Sequence, residues 1–249
     1  MLSKEINVPA LGTVVLYKRK GSRNIRLSVT ADGNVRVSLS PWMPYQAGLT
    51  FAASKSEWID LQRQRNKKVL FLNGQSIGKA HHLYLEPSVA AISVTSRLKN
   101  TQATVTYPLQ LNETDIKVQK AARQVAIRAL RSEAEALLPK RLNFLAQKGN
   151  LPYKSIQVKQ LKRRWGSCNQ NKEIVINLFL IQLPWQLIDY VLWHELAHTK
   201  YLHHGTDFWG ELLNHEPDAK SLRRQIHEFN TDVIGAQVLS QHNALDPTT

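Results

Sequence analysis

The stretch HELAH at 194–198 holds three residues whose types and spacing suit one chemistry. On a helix, positions four apart share a face about 5–6 Å apart at Cβ, so His194 and His198 can reach one ion. Neutral imidazole is a good zinc ligand, and a rigid helix would fix two of four tetrahedral positions. Glu195, beside the first ligand, can approach a water at that ion without binding the ion, and take its proton as general base. A chain of this composition yields the five-residue pattern by accident in roughly one case of seventy. The pattern alone therefore leaves open a helix whose histidines only satisfy local hydrogen bonds.

A catalytic zinc takes a third protein ligand and keeps a position open for water. The string HELAHTKYLHHGTDFW offers His203 and His204. His204 gives H-E-x-x-H-x5-H, the spacing by which some zincins return a third histidine after the helix ends. Where such proteins turn the chain at a glycine, Tyr201 stands here and the nearest glycine is Gly205, so the turn must be made differently. His203 is the alternative ligand. Asp207 and Glu211 are candidates to hold a ligand histidine's free N–H, against plain exposure. Phe208 and Trp209 are expected to pack the following helix against the HELAH helix.

Upstream, a strand at 156–162 runs into KRRWGSC (162–168). An extended peptide can add to a strand edge by main-chain hydrogen bonds, and Trp165, Gly166 and Ser167 are candidates for such a wall. Gly166 would allow close backbone approach, and Arg163 and Arg164 could hold an anionic group. The alternative is a core tryptophan with solvated arginines. Cys168 is the only cysteine, so no internal disulfide can form; burial is its expected role, and a reducing, cytoplasmic setting is the expectation.

These residues need elements to position them. Pro184 suits the first turn of a helix running through HELAH to about residue 202, followed by helices at 206–214 and 218–229. Val118, Ala122, Val125, Leu130, Leu137 and Leu145 predict a helix over 114–147, with Pro139 breaking or kinking it. Ile174, Val175 and Ile176 form a short partner strand. In the first third, Ile25, Leu27 and Val29, then Val35, Val37 and Leu39, alternate about Ala31-Asp32-Gly33-Asn34, a hairpin pattern. A helix over 44–66 should follow, ending in the basic run Arg63, Arg65, Lys67 and Lys68. Strands are expected at 69–73, 82–86, 90–96 and 102–106. A composition shift near 110 suggests a β-rich N-terminal region over 1–110, a site-bearing domain over 111–235 and a loose tail over 236–249.

Several linked runs resemble one family: RRWGSC (163–168), INLFL (176–180), a proline, IDYVLWHELAH (188–198), HHGTDFW (203–209) and PD (217–218). In order and gaps they are similar to the YgjP-like metallopeptidases, zincin-like proteins related to SprT-type and WLM-type proteases. A DG turn and the Lys55-Ser56-Glu57-Trp58-Ile59 pattern extend the likeness toward the N-terminus. The resemblance implies one zinc on His194, His198 and His204 with Glu195 catalytic, and supplies no natural substrate of its own. The expectation is an α+β fold in which a β-rich N-terminal region packs on a zincin-like unit, acting as a zinc metallopeptidase on a protein or peptide substrate.

Composition adds the setting. Hydrophobic residues make up 43% and charged residues 21%, as in a globular protein. The least polar stretch, 174–193, is interrupted by Asn177, Gln182, Pro184, Gln186 and Asp189, whereas a membrane span needs ~20 predominantly apolar residues. No membrane partner is expected. Net charge is +14, with 15 Lys/Arg against 5 Asp/Glu in residues 1–100 and 18 against 14 in the remainder. Nucleic acid is thus a candidate partner of the basic N-terminal region, against a merely solubilising surface. Two other functions share the residues. One is a metal-dependent hydrolase of nucleoside triphosphate phosphoanhydrides, disfavoured by the lack of a phosphate-cradling glycine motif. The other is a non-enzymatic zinc-containing nucleic-acid-binding module, disfavoured because a structural site has no use for a general base.

Overall fold

Alternating apolar residues in the first 40 positions build a four-stranded sheet in the computed structural model, which describes residues 3–30, 33–66, 70–229 and 231. Strands β1 (Ser3–Val8), β2 (Gly12–Lys18), β3 (Arg26–Val29) and β4 (Val35–Leu39) lie in the order β1-β2-β4-β3. The outer pairs are antiparallel and β2 runs parallel to β4. Val14, Leu16, Val35, Val37 and Leu39 point inward at period two, and Ala52 and Ile59 of two helices close over them. The expected hairpin is β3–β4, with Val29 opposite Val35; Ala31 and Asp32 of its turn lie outside the described residues.

The single helix expected over 44–66 is two: α1 (Tyr45–Ala53) and α2 (Ser56–Asn66). Gly48 permits the close packing of α1, since a Cβ there would stand 2.8 Å from Leu16 Cδ2. The Arg65 side chain, Lys67 and Lys68 of the expected basic run lie outside the described residues.

The chain divides into two compact units, Met1–Val69 and Leu70–Thr249. The break therefore falls at residue 69 rather than at 110. The reason is the second sheet: β5 (Ser76–Ile77), β6 (His81–Ser88), β7 (Thr95–Lys99) and β8 (Gln102–Pro108), in the order β5-β6-β8-β7. Its inward residues Leu83, Leu85, Ala103 and Val105 share one core with Val118, Ala122, Val125 and Ala129 of α3 (Ile116–Gly149). The sheet's apolar face is buried by that helix, so the two belong together. The strand expected at 69–73 is not formed over 70–73, and β7 starts later than expected, at Thr95. Both sheets share one topology, an antiparallel pair joined by a parallel step to a second antiparallel pair.

Helix α3 continues through Pro139. Proline forfeits one backbone hydrogen bond, but Leu138, Leu142 and Leu145 around it are buried and hold the helix in place. After α3 come β9 (Ser155–Lys159), β10 (Gly166–Cys168) and β11 (Glu173–Asn177), in the order β10-β11-β9, then a 3-10 turn over Leu178–Gln182. Helices α4 (Trp185–Ala197), α5 (Thr206–His215) and α6 (Ala219–Ile226) complete the unit. The α+β expectation holds. The tail over 236–249 lies outside the described residues. Among the described residues, no helix is long and apolar enough to cross a membrane.

Candidate metal centre

Helix α4 exists because Leu187, Ile188, Val191, Leu192 and Leu196 form its buried stripe. A fork from α3 fixes it: Arg141 donates through Nε to Asp189 Oδ1 at 2.8 Å and through Nη2 to Oδ2 at 2.5 Å. The helix stops at Ala197, earlier than the expected residue 202, with His198 as its cap. His194 and His198 meet with their Nε2 atoms 3.2 Å apart.

The chain turns here without a glycine. Thr199 N–H donates to Leu196 O, and the N–H groups of Lys200 and Tyr201 both donate to Ala197 O. This stacked closure leaves the Tyr201 carbonyl 3.0 Å from His198 Nδ1, which fixes that ring's orientation. Residues 202–205 then bring His204 back, its Nε2 3.1 Å from that of His194. His203 is exposed and outside the group. Phe208, fully buried on α5, underlies all three rings with centroid separations of 5.0, 4.6 and 4.7 Å to His194, His198 and His204.

Three ring nitrogens facing one another at these distances suit a shared cation. At Zn–N separations of ~2.0–2.1 Å, a tetrahedral edge is ~3.3 Å, close to the two spacings observed. His194, His198 and His204 are the one group among the described residues that could hold a metal ion. Burial, reinforced by the positive character of His198, His204 and Arg223, pushes the His194 imidazole down to about 3, so it stays neutral and able to ligate. Its Nδ1 is buried without a hydrogen-bond partner.

Glu195 is only 5% exposed, and its Oε2 also has no partner. Burial pushes its carboxyl up to about 8, opposed by the Arg164 cation. Against it lies β10: a Cβ on Gly166 would stand 2.6 Å from Glu195 Oε1. Strand β9 ends at Lys159, and the chain then bends before Gly166, so the strand beside α4 is β10 and not an extension of 156–162. Buried Asn177 makes that bend. Its Nδ2 donates to Leu161 O and Arg164 O, its Oδ1 accepts from Leu161 N–H, and its own N–H donates to Trp165 O at 2.8 Å.

Arg163 and Arg164 are exposed and form no ion pair among the described residues, while Trp165 is half-buried against the core. Arg164, Ser167 and Cys168 border a cleft of about 470 Å³. Burial pushes the Cys168 thiol up to about 11, with the Glu195 charge adding to the effect, so it is protonated at neutral pH. Asp207 and Glu211 do not hold the three converging histidines. Asp207 is exposed, and Glu211 bridges Lys200 and His215 at 3.0 and 3.2 Å; the Tyr201 carbonyl serves His198 instead.

Two neighbours went unassigned in the sequence. Tyr190 is buried one turn before His194, with ring centroids 6.1 Å apart; its i−4 position was the available signal. Arg223 of α6 lies over the Trp209 ring at 5.2 Å, and no spacing in the sequence announced it. His215 stacks on Trp193 at 4.4 Å, a packing role.

Comparison with known proteins adds the lineage. No curated protein matches the chain. A solved structure, the metallopeptidase zymogen of Pyrococcus abyssi abylysin, is 20% identical over 39% of this chain and 100% of its own, with a TM-score of 0.35. The family profile described as YgjP-like, metallopeptidase domain, matches residues 23–229, spanning most of both units and all of the histidine centre. With that share of its length matched, the chain belongs to the YgjP-like metallopeptidase family.

Proposed function

We propose that the protein is a zinc-dependent peptidase, with zinc on His194, His198 and His204 and Glu195 as general base. A zinc ion held there would supply Lewis-acid polarisation of a water and of the scissile carbonyl. Glu195 takes the proton from the attacking water and passes it to the departing amine. Its burial favours the protonated form, which makes it a strong base when ionised and a proton donor once loaded. The substrate lies extended along β10, pairing with the main chain of Gly166, Ser167 and Cys168 on the edge that β11 leaves free. Arg163 and Arg164 face anionic substrate groups, and Trp165 braces the wall.

The observation carrying this reading is the contact between Gly166 and Glu195: an edge strand packs against a buried carboxyl whose Oε2 has no hydrogen-bond partner, in the residue next to His194 of the converging histidines. A purely structural zinc would leave that carboxylate without purpose. The sole cysteine is unpaired, which supports a reducing, cytoplasmic location. Nucleic acid is a partner of the N-terminal unit in this reading.

Wild type and Glu195→Gln should be assayed in parallel on an unfolded protein and on nucleoside triphosphates, with metal content measured. The expected result is about one zinc per chain in both, with peptide cleavage falling by roughly 100-fold or more in the variant. Phosphate or pyrophosphate release by wild type, without proteolysis, would assign the site to phosphoanhydrides. Equal cleavage by both proteins would remove Glu195 from the chemistry.

A further inference from the structure

The N-terminal unit presents an aromatic and a set of cations at one end of its sheet, independently of the metal centre. Because β2 and β4 are parallel, both finish at this end, and β3, antiparallel to β4, begins there. The connections 19–25 and 40–44 therefore lie together. They are tied: Arg19 N–H donates to Leu39 O at 2.8 Å, and Ser40 Oγ donates to Ser22 O. Lys18 reaches from the end of β2 to donate to Met43 O, and its ammonium lies 4.6 Å over the Tyr45 ring.

Met43 N–H closes a turn onto Ser40 O at 3.2 Å, with Pro41 and Trp42 at its tip. Trp42 is 74% exposed, so a large planar side chain faces water from a turn fixed at both ends. Such a side chain contributes little to the fold by burial, and a rigid indole in water suits a partner's flat face. Arg19, Lys20, Arg23 and Arg26, on the neighbouring connection and the start of β3 at the same end of the sheet, are exposed and form no ion pair among the described residues. The sequence supplies no acid nearby: there is none in 6–31 or in 33–56. Residues 1–69 hold 12 Lys/Arg against 4 Asp/Glu.

We propose that this end of the sheet binds single-stranded nucleic acid, a base stacking on the Trp42 indole while phosphates meet Arg19, Lys20, Arg23 and Arg26. Cations alone would serve a duplex or an acidic peptide equally, and the exposed indole beside them favours the single strand. A duplex keeps its base faces stacked inside, whereas a single strand offers them. A bilayer anchor would insert several apolar side chains. Here Trp42 is the one exposed large apolar residue of the two connections, and among the described residues the unit's others, Trp58 and Leu61, belong to α2.

The test is anisotropy titration of the full chain against a short labelled oligothymidylate, its duplex form, and phosphatidylserine vesicles, at several salt concentrations. Wild type should bind the single strand most tightly. Trp42→Ala should weaken binding by roughly 5- to 150-fold, the range for losing one base–aromatic stack, while Trp42→Phe retains most of it. Arg19→Gln and Arg23→Gln should each make the log–log salt slope shallower by about 0.7. Circular dichroism and the melting midpoint should not change, since all three positions are exposed. No oligothymidylate binding, equal binding by Trp42→Ala, duplex binding as tight as single-strand binding, or vesicle binding alone would each overturn the proposal.

Discussion

Between Gly166 and the Glu195 carboxylate there is no room for a methyl group, so a single hydrogen atom at residue 166 governs where the proposed base can sit. Gly166→Ala should push the carboxylate aside or shift β10 by a few tenths of an ångström or more. Misplacement on the 1 Å scale costs catalysis about 100-fold. The expected outcome is a 10- to 100-fold fall in kcat at roughly unchanged zinc content, read by peptide hydrolysis and metal analysis on the same samples. A variant with full activity would separate β10 from the chemistry. Loss of metal would show instead that the strand supports the histidines. The Tyr201 carbonyl is a comparable case: it orients His198 through main-chain atoms, so the residue type at 201 need not be a hydrogen-bonding one.

Helix α3 ties the second sheet to the helices of the site through a few polar anchors. Arg141 holds α4, and Glu133 holds the turn between β5 and β6. The Glu133 carboxylate, 6% exposed, accepts from the N–H groups of Lys79, Ala80 and His81, and its Oε1 lies 2.6 Å from His81 Nδ1. Gly78, at φ +65°, is the residue that lets this turn wrap the carboxylate, since a Cβ there would stand 2.2 Å from Oε2. Lys79 extends the link by donating to Leu183 O, just before α4. Glu133→Ala strands several buried donors and should destabilise the protein by about 3–5 kcal/mol, measured by urea unfolding. A change under about 1 kcal/mol would mean that water replaces the carboxylate at little cost.

For the whole molecule, the proposed zinc joins two stretches of chain, α4 and the return through residues 199–204. Binding to the folded state alone stabilises by RT ln(1 + [L]/Kd), about 2.7 kcal/mol at 100 times Kd. At about 2–4 °C per kcal/mol for a chain of this size, chelation should lower the melting midpoint by about 5–10 °C. His194→Ala should melt at that lower midpoint with or without added zinc. A midpoint indifferent to chelator would argue against a tightly held ion. The two units also differ in charge. Most of the excess lies in Met1–Val69, so salt should affect the oligonucleotide interaction far more than peptide cleavage.

The sequence by itself determined what depends on local spacing. Period-two and period-3.6 patterns announced the β3–β4 hairpin and α3, the i, i+4 pair announced that His194 and His198 share a helix face, and the linked motifs announced the family. Pairings across long chain separations were not legible, because they depend on which apolar faces bury one another. Only the tertiary structure assigned the second sheet to α3 and moved the division to residue 69. It alone made β10 rather than β9 the strand against Glu195, because Asn177 draws residues 161–165 into a bend that no periodicity encodes. It brought His204 and not His203 to the other two rings, with a turn closed by backbone carbonyls in place of a glycine. Arg223 over Trp209, its charge felt at His194, and Trp42 at the same sheet end as the β2–β3 cations are juxtapositions of the same kind: residues distant in the chain or unremarkable in type acquire meaning only from what folding places next to them.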